Sequence, residues 1–317
     1  MCPLEAPSST PAGSAAESAW DLVLAASALA DGLERDGRPR WFGAGSGTIL
    51  QPLANDGPAA LLAWQPEIGW QSRLSADDTR SDLVDLYLPI CSATTARPMT
   101  IGHLGQSLDG FIATHTGDSR FVTGDSNLVH LHRMRALCDA VVVGAGTVAA
   151  DDPQLTTRHV QGSHPLRVIF DPGRRLSASY GLFTDQAAPT LYLCDKARLQ
   201  PNEVQIGQAA VEGLDEGGVS LVLSLLRARG CARVFVEGGG VTVSAFLEAN
   251  LLDRLQIAIA PVIIGDGRPA IRLAPQDRLR DCLRPGYRVF RMGGDVLFDC
   301  EMKGEARTED DTVRRVI

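Results

Sequence analysis

From residue 99 onward, short apolar runs recur along the chain: Met99–Leu104, Ala140–Val143, Arg167–Phe170, Thr190–Leu193, Arg233–Val236, Arg254–Ala260 and Asp295–Asp299. Several are apolar at nearly every position, the pattern of strands covered on both faces. Between them, Ser126–Ala136, Leu221–Arg229 and Val241–Asn250 read as helices. This alternation predicts an α/β domain around a mainly parallel sheet. The first third is patterned differently. Ala19–Glu34 is rich in Leu and Ala and reads as a helix, Gly37–Gly47 reads as turn-rich, and mixed strand-like pieces follow to Ile90. All four tryptophans (Trp20, Trp41, Trp64, Trp70) fall in this stretch. The shift places a boundary near Ser92–Pro98. The expected organisation is a disordered N-terminus over 1–17, a small extension over 18–96, the α/β domain over 97–302 and a polar tail over 303–317.

Composition narrows the function. A chain of 317 residues with net charge −8 carries no basic field for nucleic acid or an anionic membrane. No apolar run approaches the ~20 residues of a membrane helix, and the first residues lack the pattern of a signal peptide. Seven scattered cysteines (Cys2, Cys91, Cys138, Cys194, Cys231, Cys282, Cys300), with no CxxC, read as reduced thiols of a cytoplasmic protein and not as a metal site. All six histidines lie between His103 and His164. His130 and His132 read as residues of a helix surface. Only two lysines occur, Lys196 and Lys303, and no GK[ST] motif, which removes P-loop chemistry.

Two strand–glycine–helix junctions stand out: Val143-Gly144-Ala-Gly146-Thr147-Val-Ala149 and Val236-Glu237-Gly238-Gly239-Gly240-Val-Thr242. Small residues beyond a strand let a phosphate approach backbone N–H groups at a helix start. The first fits the spelling G-x-G-x-x-A, but Asp151-Asp152-Pro153 ends any helix almost at once, and a tight turn explains it equally. Gly43–Gly47, a third glycine cluster, reads as a loop. Glu237 ends an apolar strand before three glycines, where a buried acid needs a partner. Arg135 on its helix reads by default as a solvated charge. Asp109 and His103 are candidates for a polar active-site role, with turn stabilisation and strand packing as the competing readings.

In order, Ser107-Leu-Asp-Gly110, Gly117-Asp-Ser119, Thr123-Gly124, Arg135, Val143–Arg158, His164–Asp171, Val236–Gly240, Leu252-Asp253 and Ala260–Gly265 resemble the reductase domain of RibD and its stand-alone relatives in riboflavin biosynthesis. The resemblance covers residues 97–302. It implies a dihydrofolate-reductase-like fold, a mixed and mostly parallel sheet flanked by helices. It implies NADPH as cofactor and reduction of the ribosyl group of an aminopyrimidine ribose 5-phosphate to ribityl. It places Gly105, Phe121, Thr147, Asp151 and the loop Gly239, Gly240, Val241, Thr242, Val243, Ser244, Ala245 at the cofactor. It places Ser119, Arg135, Leu155, Arg158 and Glu237 at the substrate, where an arginine fork suits a phosphate. Arg174 and Arg175 are candidates for the cofactor's 2′-phosphate, with surface charge as the equal alternative. A homodimer is expected by the same resemblance.

The chain departs from this pattern in places. Many members have Trp where Phe121 stands and Ser where Pro172 stands, and bacterial members commonly carry Lys at His103. Bifunctional RibD begins with a zinc deaminase, whose chemistry needs H-x-E and P-C-x-x-C. Residues 1–97 hold no histidine and two cysteines, which excludes that chemistry there. Two other readings stay open: a reductase of the same fold acting on another substrate, and a non-catalytic nucleotide-binding protein.

Overall fold

The computed structural model describes residues 15–45, 50–120, 122–215 and 218–303, with only the backbone of 15–17. The chain divides between Thr94 and Thr95 into two compact units.

In the first unit, helix α1 (Ala15–Asp36) is followed by strands β1 (Arg40–Ala44), β2 (Leu50–Leu53), β3 (Leu62–Gln65) and β4 (Gly69–Ser72), then helix α2 (Ser81–Cys91). The strands form an antiparallel sheet in the order β2-β1-β3-β4. Aromatic packing builds the core. Trp20 meets Tyr87 edge-on at 5.5 Å, Trp64 meets Trp70 at 5.4 Å, and the Trp70 indole donates to the Ala26 carbonyl. Residues 15–17 are helical, so the disorder expected over 1–17 does not extend to them, and residues 1–14 lie outside the described residues. The stretch Gly37–Gly47, read as turns, contains β1, because the alternating Trp41 and Phe42 find partners across the sheet.

The second unit runs β5 (Met99–Ser107), β6 (Phe111–Thr114), α3 (Asp125–Leu137), β7 (Ala140–Gly144), α4 (Ala145–Asp151), β8 (Leu166–Phe170), α5 (Gly181–Thr184), β9 (Thr190–Asp195), β10 (Gln205–Ile206), β11 (Ala209–Leu214), α6 (Val219–Ala228), β12 (Arg233–Glu237), α7 (Gly240–Glu248), β13 (Arg254–Ala260), β14 (Gly267–Pro269), β15 (Gly286–Met292) and β16 (Asp295–Glu301). Ten strands make one sheet, ordered β10-β11-β9-β8-β7-β12-β5-β13-β16-β15. The seven from β11 to β13 are parallel, while β10, β16 and β15 add antiparallel edges. This is the mainly parallel sheet that the sequence pattern predicts, with the mixed edges that the resemblance implies. Its centre is apolar on both faces: Val141, Val142, Val143, Val234, Phe235 and Val236 are fully buried. The expected polar tail, residues 303–317, lies outside the described residues apart from Lys303.

Helix α3 departs from the expectation of an apolar inner face. His130 and His132, read as surface residues, are buried at 1% and 0% exposure. The reason lies in the sheet beneath. Register pairs Glu237 of β12 with His103 of β5, and His103 with Gln256 of β13. Laterally paired residues share a sheet face, so a polar row crosses three strands. Helix α3 answers it residue by residue: Asn127 bonds His103 at 3.0 Å, His130 bonds Gln256 at 2.9 Å, and Arg135 bonds Glu237. A polar helix face is buried because its partners are polar too.

Candidate active site

From the central strands the chain leaves in opposite directions, β7 toward β8 and β12 toward β13. Parallel sheets open a crevice at the carboxyl ends where the order reverses. A cleft of about 660 Å³ lies there. Its floor includes His103 and Gly105 of β5, Gly144 at the end of β7, and Glu237 at the end of β12.

The two glycine junctions close on each other across the cleft. A Cβ on Gly144 would collide with the Thr242 hydroxyl, and one on Gly239 would lie 2.7 Å from the Thr147 hydroxyl. Gly238 and Gly239 both adopt positive φ, +74° and +68°, where a side chain is strained. The turn they make delivers the backbone into α7, whose first N–H groups have no carbonyl of the preceding turn to bond. Such an end attracts anions.

Glu237 is held bidentately by Arg135. The Arg135 Nε donates to Oε2 at 2.7 Å, Nη2 donates to Oε1, and Nη1 donates to the Thr156 carbonyl at 3.1 Å. Both side chains are nearly buried, at 7% and 11% exposure. Burial alone would depress the arginine, but the Glu237 carboxylate outweighs it and raises Arg135 above its ordinary value. Arg158, near the same pair, is lowered by burial and by the Arg135 charge. Its Nη1 reaches the Thr156 hydroxyl at 2.6 Å.

Burial pushes the His103 imidazole down to about 4, against the opposing pull of Glu237 and Asn127. Asn127 donates its amide to the Thr123 hydroxyl at 2.9 Å, so its oxygen faces His103. Nε2 therefore carries the proton and Nδ1 is bare. The floor of the cleft presents a neutral imidazole beside a carboxylate.

The structure brings most of the expected residues to this cleft. Gly105, Thr147, Asp151, Gly239, Gly240, Val241, Thr242 and Ala245 line it, as do Ser119, Leu155, His103 and Glu237. Ser119 reaches Asp151 at 3.4 Å. Arg135 lies behind Glu237, and neither it nor the exposed Arg158 is on the lining. Val243 is fully buried in the core, and the Ser244 hydroxyl accepts the Arg272 N–H at 2.8 Å. Phe121 lies outside the described residues.

Asp109 is not on the lining. Its carboxylate accepts from the Ser107 hydroxyl and from the N–H groups of Ile264 and Gly265, which hold it at about 2. The carboxylate ties two loops together, the turn role that competed with a place at the active site. Arg174 turns away with φ +49° and pairs with Glu203 through Nη1 at 2.6 Å, while Arg175 lines the cleft. Asn127, Arg268 and Arg272 also line it, and nothing in the sequence marked them. Each reaches the cleft through long-range packing, not through a local motif. Among the described residues, no group of three or more His, Cys, Asp or Glu could hold a metal ion, and no helix is long and apolar enough to cross a membrane. Among the described residues, Cys194, Cys231, Cys282 and Cys300 are free thiols.

Comparison with known proteins agrees with this geometry. The chain is 32% identical over 218 residues to the 2,5-diamino-6-ribosylamino-4(3H)-pyrimidinone 5′-phosphate reductase of Methanothermobacter thermautotrophicus, covering 66% of this chain and all of that one. It is 33% identical over 175 residues to the riboflavin biosynthesis protein RibD of Aquifex aeolicus, covering 55% of this chain and 49% of the relative, so it spans about half of that protein. Among solved structures it resembles a diaminohydroxyphosphoribosylaminopyrimidine deaminase/5-amino-6-(5-phosphoribosylamino)uracil reductase of Thermotoga maritima, with TM-score 0.57 and 26% identity over 70% of this chain and 61% of that one. The RibD C-terminal domain family matches residues 98–284, a span that carries the glycine cradle, the Arg135–Glu237 pair and the cleft between them: this chain belongs to the RibD C-terminal domain family.

Proposed function

We propose that this chain is an NADPH-dependent reductase of a phosphorylated ribosylaminopyrimidine, converting a ribosylamino to a ribitylamino group in riboflavin biosynthesis. The observation that carries the reading is the buried Arg135–Glu237 pair at the edge of a two-loop glycine cradle. A carboxylate at that point, paired with Arg135, accepts hydrogen bonds from sugar hydroxyls. The cradle and the first N–H groups of α7 fit a pyrophosphate. The names of the archaeal and bacterial relatives support the substrate class.

In this reading a bound nicotinamide would supply the hydride that reduces C1′ of the opened sugar, with one proton taken up from solvent. The chain supplies alignment and charge. Thr147, Asp151, Gly105, Phe121, Gly239–Thr242 and Ala245 hold the cofactor, while Val243 and Ser244 support the loop from behind. Arg175, which lines the cleft and is paired through Nε to Asp171, meets its 2′-phosphate, while Arg174 pairs with Glu203 off the lining. Ser119, Leu155 and Glu237 hold the sugar, Arg158 the substrate phosphate, and Arg135 acts through Glu237. The protein works in the cytoplasm as a homodimer.

One observation favours a second reading, a reductase of the same fold on another substrate. His103 is neutral on the cleft floor, where a lysine would present a fixed charge to a pyrimidine. Oxidation of NADPH at its nicotinamide absorbance, with 5-amino-6-ribosylaminouracil 5′-phosphate and with its 2,5-diamino counterpart, separates the two. Turnover of either supports the riboflavin assignment. Tight NADPH binding with no turnover of both rejects it.

A further inference from the structure

Arg158 is presented by a segment that has no regular structure of its own, Leu155–Arg158. Leu155, a residue on the cleft, sits at φ +54°. That conformation is unfavourable for a leucine and persists only where the surroundings enforce it. Four side-chain or backbone groups do so. The Arg135 guanidinium bonds the Thr156 carbonyl. The Thr157 hydroxyl bonds the Ser163 carbonyl at 2.9 Å. The Thr157 N–H donates to His164 Nδ1 at 3.1 Å, and the Arg158 N–H donates to His132 Nδ1 at 3.0 Å. His132 and Arg135 stand one turn apart on α3, so one helix face grips the segment at both ends.

His132 shows that this grip is costly. Its ring is fully buried, and because Nδ1 accepts, Nε2 carries the proton. Among the described residues that donor has no partner. A buried orphan donor works against stability. Burial lowers the ring to about 4, and the charges of Arg135 and Arg158, with His159 edge-on at 4.5 Å, act in the same direction. The imidazole is therefore a standing acceptor at neutral pH.

We infer that His132 and His164 are positioning residues: as acceptors for two consecutive backbone N–H groups, they fix Leu155–Arg158 and so aim the Arg158 guanidinium at an anionic group of the substrate. The inference rests on the reductase reading for the placing of Arg158 at the substrate and for the identity of that anion.

The test replaces each histidine with leucine, which cannot accept, and with asparagine, whose amide oxygen stands where the imidazole carries Nδ1. His132→Leu and His164→Leu should each raise KM for the phosphorylated pyrimidine about tenfold, the scale of one lost hydrogen bond, and leave KM for NADPH unchanged. They should speed hydrogen exchange at the Thr157 and Arg158 amides. His132→Asn and His164→Asn should restore both readouts, and the dephosphorylated substrate should not distinguish any variant from wild type. Unchanged KM and unchanged exchange in the leucine variants overturn the inference, as does an equal rise in both KM values. If wild type reduces neither pyrimidine, the reductase reading has failed on its own. The affinity for ribose 5-phosphate in the same four variants then decides the positioning role: weakening by leucine and recovery by asparagine support it, and indifference to both overturns it.

Discussion

At the scale of single residues, Glu237 and Arg135 carry the most consequence. Each is almost buried, and each satisfies the other. Removing one charge leaves the other uncompensated in a medium that solvates it poorly. Glu237→Gln is expected to destabilise the protein by about 3 kcal/mol and to lower kcat/KM by about 100-fold through misplacement of the sugar. Chemical denaturation and steady-state NADPH oxidation measure the two effects. A variant with full activity would remove Glu237 from the substrate site. Gly144 has the opposite character, because its importance is the absence of an atom. A methyl there meets the Thr242 hydroxyl, so Gly144→Ala should weaken NADPH about tenfold by pushing the two loops apart. Titration of protein fluorescence with NADPH reads this directly.

At the scale of elements, α3 behaves unlike an ordinary amphipathic helix. Its inner face is polar and is satisfied by the row Glu237–His103–Gln256. That arrangement makes stability depend on pH. Burial lowers His103, His130 and His132 to about 4, about 3 and about 4, from 6.5 in the unfolded chain. The unfolded state therefore takes up protons first as pH falls. The stability these neutral rings contribute is fully present above about pH 6.5 and is lost progressively toward pH 4. Thermal melts across that window should show a falling Tm, and His130→Gln should make the fall shallower. The buried Asp299 carboxylate, lowered from 3.8, acts below this window.

At the scale of the whole molecule, the second unit has a core of its own, with Val142, Val168, Leu193, Val222, Val234 and Phe246 fully buried. A relative as long as the match itself aligns over 218 residues. A chain beginning at Thr95 is therefore expected to fold cooperatively and to bind NADPH as the full chain does. Loss of cooperative unfolding in that shortened chain would show that the first unit completes the fold.

What the sequence determined by itself was the sheet and the cradle. Apolar runs such as Ala140–Val143 and Arg233–Val236 admit little besides buried parallel strands, and glycines just past them mark where a strand must turn tightly. Those signals are local, so they survive without a structure. Asp109 was legible as a turn residue for the same reason. Tertiary structure alone decided which polar residues meet. Arg135 reads as a solvated charge until Glu237, 102 positions away, is found against it. His130 and His132 read as surface residues until α3 is laid on a polar row of three strands. Arg268, Arg272 and Asn127 reach the cleft from segments with no motif. Burial of a polar side chain depends on a partner distant in sequence, and the spacing of residues along one chain does not encode that partner.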